Sequence, residues 1–251
     1  MYQTRREYIQ SFHTSDATRL HSTKPMCFCA NDFMSQLTNP SCSIQQFTGS
    51  NVTALSNWNR TNSSPVGGFE KNDMNQDNDN DVAQPDHYLP ISSTITFEFT
   101  SNQPSLGYPV YMRVDVIKPR PGKMLLNTGV HQYMLLGALP GFMNLAADPL
   151  NRNRINKDYY QILQTKHCSL IRTSDSPDAI TKYMKVHIPF KAKVIHCNLT
   201  DQATSGETFG SNVPMADQVW VVISTNIPGG TININAMRDV RFRDNQGSTA
   251  V

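Results

Sequence analysis

No uninterrupted apolar run in this 251-residue chain reaches the roughly 20 residues that cross a bilayer as a helix. A helical membrane protein is therefore not expected. The opening "MYQTRREYIQSFHTS" holds two arginines but no apolar stretch, so it does not read as a secretory signal. Catalytic signatures are missing too. There is no G-x-S-x-G elbow, no phosphate-binding P-loop, no H-E-x-x-H and no G-x-G-x-x-G. The expectation is a protein that is not an enzyme and that uses no cofactor. Cysteines are few and odd in number: Cys27, Cys29, Cys42, Cys168 and Cys197. Cys27 and Cys29 are close, but no second ligand pair follows at zinc-finger spacing, so no metal site is expected. Reduced, partly buried thiols and intracellular synthesis follow.

Histidines are dispersed. His187 and His196 could face each other across a hairpin and hold a metal, but half-buried strand positions are the commoner explanation. "DNDND", Asp77 to Asp81, superficially resembles a calcium loop. It lacks the glycine and the distal bidentate glutamate that such a loop needs, so a solvated acidic loop is expected. A dense Lys/Arg block is also absent, although the formal net charge is +2.

What is present is an asymmetry. Residues 1–100 carry six Lys/Arg and ten Asp/Glu, whereas residues 101–251 carry sixteen and ten. An acidic and a basic half point to two faces with different partners. Residues 1–25 read as a polar N-terminal arm in which Tyr8, Ile9 and Phe12 could form a short strand or a turn of helix, and 26–251 as one domain that opens on an apolar patch, "MCFCANDFMSQ", which could be an early strand. Within that domain, residues from about 39 to 90 are rich in Asn, Ser, Thr, Asp and Gly, with isolated Phe47, Trp58 and Phe69. So few apolar residues cannot build a core of their own, so a long surface excursion anchored by its aromatics is expected.

After Pro90 the pattern has period two. In "ISSTITFEFTS", Ile91, Ile95, Phe97 and Phe99 share one face. In "YPVYMRVDVIK", Val110, Met112, Val114 and Val116 oppose Tyr111, Arg113, Asp115 and Ile117. "KPRPGK" ends that strand, because proline lacks the N–H a ladder needs. "HQYMLLGAL" reads as strand or helix, and "PGFMNLAADPLN" as a short helical turn. Further strands are "DYYQILQTK", "KYMKVHIPF", "KVIHCNL" and "DQVWVVISTN". The last is apolar throughout its centre and is expected inside a sheet. "GGTININAMRDVRFRD" closes the chain, with Ile232, Ile234, Ala236 and Met237 leading into Val240 and Phe242. Short strands without intervening amphipathic helices predict an all-β antiparallel sandwich. About eight strands with long connections predict an eight-stranded jelly roll with long surface loops.

The basic residues gather near turns. They are Lys118, Arg120 and Lys123 in "KPRPGK", Arg152, Arg154 and Lys157 in "NRNRINK", and Lys191 and Lys193 in "FKAKV". Arg241 and Arg243 project from the last strand with Phe242 opposite, and Arg5 and Arg6 lie in the arm. Converging at one end of a sandwich, such groups would neutralise phosphates without reading bases. Subunit salt bridges and solvated turns are the competing explanation.

"NRNRINKDYYQILQTKHCSLI", "KYMKVHIPFKAKVIH", "DQVWVVISTN" and the closing "RDVRFRD" together resemble, in that order, the coat proteins of small circular single-stranded DNA viruses of circovirus, geminivirus and nanovirus type. The resemblance spans residues 91–251. It implies a jelly-roll subunit that self-assembles into an icosahedral shell around single-stranded DNA. The expected partners are further copies of the chain, the viral nucleic acid and a host surface receptor, and the expected location is the virion. One departure stands out. The family's arginine-rich arm is reduced here to Arg5, Arg6, Arg19 and Lys24. A carbohydrate-binding, adhesin-like β-sandwich and a small RNA-virus coat protein are the alternatives.

Overall fold

The computed structural model describes residues 7–14, 18–31, 43–48, 51–60, 87–101, 109–121, 134–136, 153–172, 178–191, 195–196, 213, 217–227 and 231–244. The described residues form twelve β-strands, and every strand pairing is antiparallel. They are β1 (Glu7–Thr14), β2 (Thr18–His21), β3 (Met26–Cys29), β4 (Ser43–Thr48), β5 (Asn51–Arg60), β6 (His87–Ser101), β7 (Val110–Pro119), β8 (Tyr160–Leu170), β9 (Ile180–Pro189), β10 (Ile195–His196), β11 (Trp220–Thr225) and β12 (Thr231–Asp244). The all-β antiparallel architecture agrees with the period-two pattern. No described helix is long and apolar enough to cross a membrane.

Two sheets face each other. The first runs β1–β12–β6–β9, with β2 beside the start of β12 and β10 beside the start of β6. The second runs β3–β11–β7–β8. The β4–β5 hairpin joins them along one side, because β4 pairs with β3 while β5 pairs with β1. Along the other side β8 and β9 are the outermost strands. The inner faces meet in a core that includes Phe28, Phe97, Phe99, Val114, Val221 and Phe242. β11 is buried at every residue and lies between β3 and β7, as its apolar run requires.

Several expectations are corrected. The segment read as an arm joins the first sheet from Glu7 onward, since Phe12 and Leu20 are buried in the main core. Residues 1–6 lie outside the described residues. The polar stretch 39–90 contains the β4–β5 hairpin. Phe47 and Trp58 are its buried anchors, and Phe69 and the 77–81 acidic run lie outside the described residues. Strict alternation along β12 turns Met237 outward, at 48 % exposure, and places Arg238 inward at 1 %. His196 has His87 as its cross-strand neighbour while His187 has Thr94, so the two histidines follow one another along β6 rather than facing each other. Among the described residues no three His, Cys, Asp or Glu side chains gather as a metal site. The residues 140–151 proposed as a helical turn lie outside the described residues.

The second sheet is buried on both faces around β3, β11 and the end of β7, while β8 keeps exposed residues on its outer face; the alternation of β7 did not reveal that cover. Met134, Leu135, Ile155 and Tyr160 cover its outer side against Cys27, Phe47, Ile117 and Trp220. Full burial of each such apolar side chain contributes about 1.5–3 kcal/mol. Burial pushes the Cys27 thiol well up, with the neighbouring Cys29 adding to the effect, and it raises the Tyr160 phenol. Half-burial raises Cys168 to about 11, against the opposing pull of Lys182. Thiolate is the reactive form. Alkylation of Cys168 in the folded chain is therefore expected to rise about tenfold per pH unit from pH 8 to beyond pH 10, where a free thiol levels off near its ordinary value of about 8.5. Cys27 and Cys29 should remain unlabelled. Peptide mass spectrometry after timed iodoacetamide exposure checks this, and a plateau for Cys168 below pH 9.5 contradicts it.

Candidate nucleic-acid interface

The segment before β8 is a strap over the outer face of the second sheet. Its residues alternate in role. Asn153, Ile155 and Asn156 are buried, while Arg154 and Lys157 are exposed. Asn153 donates through Nδ2 to the Ser22 carbonyl at 2.8 Å, and its own carbonyl accepts from Arg113 Nη2 at 2.5 Å. Leu136 and Asn156 exchange backbone bonds with Arg154 and Met134 at 2.9 Å. The Asn156 side chain accepts from the Asp158 amide at 3.1 Å and sets the turn into β8. Asparagine is frequent here because it satisfies backbone groups where no ladder can.

Arg113 is fixed by a nearly buried ion pair, with Nε 2.7 Å from Asp115 Oδ2. Thr165 Oγ1 donates to the other carboxylate oxygen at 2.7 Å. This network ties strap, β7 and β8 together. It is why the basic residues of the strap have a defined position.

Among the described members of the predicted phosphate-binding set, Lys118, Arg120, Lys157, Lys191, Arg241 and Arg243 lie toward one end of the sandwich, while Arg154 stands further back on the strap, next to the Asn153 that Arg113 holds. Arg120 follows β7 and donates through Nε to the Lys157 carbonyl at 2.7 Å, and its amide donates to the Tyr159 carbonyl at 2.8 Å. Lys118 and Lys191 line the same cavity, of about 770 Å³, which opens between the sheets beside Pro119, Gln161 and Phe190. Lys118 is partly neutralised by Asp217, 3.5 Å away, which weakens the case for it as a phosphate contact. Arg241 and Arg243 are exposed on β12 at the same end, across from Ser92 and Leu89. The pairing slips between Arg241 and Phe242, where Ile91 of β6 is the extra residue, and Phe242 keeps the inward parity of Val240 and enters the core. Arg5, Arg6, Lys123, Arg152 and Lys193 lie outside the described residues.

Sequence reasoning missed the cations carried on strands rather than turns. Lys166, Lys182 and Lys185 stand where β8 and β9 run side by side, and Lys166 Nζ donates to the Lys185 carbonyl at 2.6 Å. The available signal was that neither strand contains an aspartate or glutamate. No protein-family model matches this chain, and no curated protein matches it.

Proposed function

We propose that the protein is a viral coat subunit with an eight-stranded jelly-roll core, which self-assembles into a small icosahedral shell around single-stranded DNA. The observation that carries the reading is the strand order. Two runs of four, β1–β12–β6–β9 and β3–β11–β7–β8, place the first and last long strands side by side. The chain crosses between the two runs from β1 to β3, β3 to β6, β6 to β7, β8 to β9, β9 to β11 and β11 to β12. That alternation supports the reading of a double Greek key. The β4–β5 hairpin is then an insertion between the second and third core strands.

A fold hosts many functions, so the site must add its own argument. Exposed cations at one end of a rigid sandwich suit non-specific phosphate contact, and the resemblance of residues 91–251 to single-stranded DNA virus coat proteins supplies the assembly and the nucleic acid. Light scattering on a sizing column, with absorbance at 260 and 280 nm, tests the proposal on the full chain. A megadalton peak of uniform spheres whose absorbance ratio marks packaged nucleic acid is expected. A monomer at every salt concentration and pH tried overturns it.

A further inference from the structure

β8 and β9 belong to different sheets, yet they run antiparallel along the open side of the sandwich. Three contacts set their levels. Arg172 Nη2 donates to the Asp178 carbonyl at 3.2 Å, Lys182 lies close enough to Cys168 to favour its thiolate, and Lys166 reaches the Lys185 carbonyl. The seam continues to Lys191 at the mouth of the cavity. At about 3.3 Å per residue, Lys182 and Lys191 are separated by about 30 Å.

Lys182, Lys185 and Lys191 are exposed along this line, and Lys166 has two further N–H donors beyond the one given to the Lys185 carbonyl. Between Lys182 and Lys185 stands Tyr183, 68 % exposed, the largest exposure among the big apolar side chains described. Tyr183 and Lys185 project from the outer face of β9, since the intervening Met184 is buried, whereas Lys182 has the parity of Met184 and turns toward Cys168 of β8 at the open edge. The carboxylate nearest in register is Glu98, the half-buried cross-strand neighbour of Tyr183. Lysines on outermost strands also discourage unwanted strand addition. That role accounts for the lysines but not for an exposed ring beside them. A cationic track with an aromatic platform is the arrangement that holds single strands without sequence preference.

We propose that the β8–β9 seam is a binding site for single-stranded nucleic acid, with phosphates on Lys166, Lys182 and Lys185 and a base stacked on Tyr183. The inference deepens the coat-protein reading and takes from it the presence of a nucleic acid. The test is fluorescence anisotropy of labelled oligo-dT of 20 nucleotides against the full chain over a series of salt concentrations. K182Q/K185Q is expected to flatten the slope of log affinity against log salt by about 1.4, since each phosphate contact on a single strand contributes about 0.7. Y183A is expected to weaken binding about 5- to 100-fold at unchanged slope. K182R/K185R should keep the parent slope, and melting curves verify that each variant folds.

Unchanged affinity and slope in both altered chains overturns the seam, as does a parent chain that does not bind the oligonucleotide. A heparin fragment is the competing polyanion. If K182Q/K185Q weakens heparin binding while Y183A leaves oligo-dT binding intact, the nucleic-acid assignment is overturned. Particle formation is scored separately by light scattering. Particles with variants that bind like the parent remove the seam and leave the shell. A monomer whose variants lose binding as expected removes the shell and leaves the seam.

Discussion

Arg238→Ala is expected to lower the unfolding free energy by about 3–5 kcal/mol, among the largest effects of any single change in this chain. Arg238 is at the centre of the first sheet, points inward, and is 1 % exposed. Its Nη2 donates to the Ala30 carbonyl beside β3, in the opposite sheet, and its Nε donates to Ser93 Oγ of β6 at 3.3 Å. The guanidinium carbon stands 5.9 Å from the Phe28 ring centroid and 5.7 Å from that of Trp58. Phe28 and Trp58 are themselves edge to face at 5.1 Å. One planar cation therefore links both sheets and the β4–β5 hairpin.

Alanine would leave a cavity, an unpartnered carbonyl and two rings without their neighbour. Lysine should not rescue the loss, because a compact ammonium cannot stack on the rings and fork to two acceptors at once. Methionine, similar in length and without a charge to desolvate, is expected to cost about half as much as alanine or less. Urea unfolding with an unchanged m value checks the ranking. A loss below about 1 kcal/mol for alanine shows that Arg238 is not the link described here.

Asp115→Ala is the second large expectation, again about 3–5 kcal/mol, because it strands the Arg113 guanidinium at a nearly dry position. Thr165 loses its acceptor at the same time. The strap over the second sheet depends on Arg113 through the Asn153 carbonyl, so its hold should weaken too. Limited proteolysis is expected to cut near Arg154 and Lys157 in D115A at protease levels that leave the parent whole. Replacing both partners, as R113M/D115L, should recover a large part of the stability, since no buried charge is then left alone. If the double variant is as unstable as D115A, the ion pair matters through its hydrogen bonds to the strap rather than through charge balance.

The legible part of the fold was the part with an unbroken period of two. β6, β7, β8, β9, β11 and β12 all correspond to strands read from apolar alternation or from an apolar run. β4 and β5 were not legible. Phe47 and Trp58 are isolated among Asn, Ser and Thr, and their burial comes from β3 and the strap, which are distant in sequence. Alternation in β7 marked Arg113, Asp115 and Ile117 as the outer face, which is correct. It could not show that a later segment covers that face. Arg238 drew no reading of its own from the sequence, although its parity with Ile234, Ala236 and Val240 places it inside.

The candidate site divided in the same way. Clusters of Lys and Arg around prolines were visible as turns, and Arg120 with Lys157 does come together through a single hydrogen bond. The seam was not visible, because its lysines lie on two strands of different sheets.

The sequence by itself determined that this is an antiparallel β protein, which positions form its central strands, and that its second half is basic. Those properties are local: side-chain period, turn chemistry and charge are set by residues a few places apart. Tertiary structure alone decided that the centre of the second sheet is covered on both faces, that a cation lies among aromatic rings in the core, and that Lys166 meets Lys185. Each of these depends on which strands become neighbours. That is settled by burying the greatest apolar surface over the whole chain, and no window of the sequence contains it.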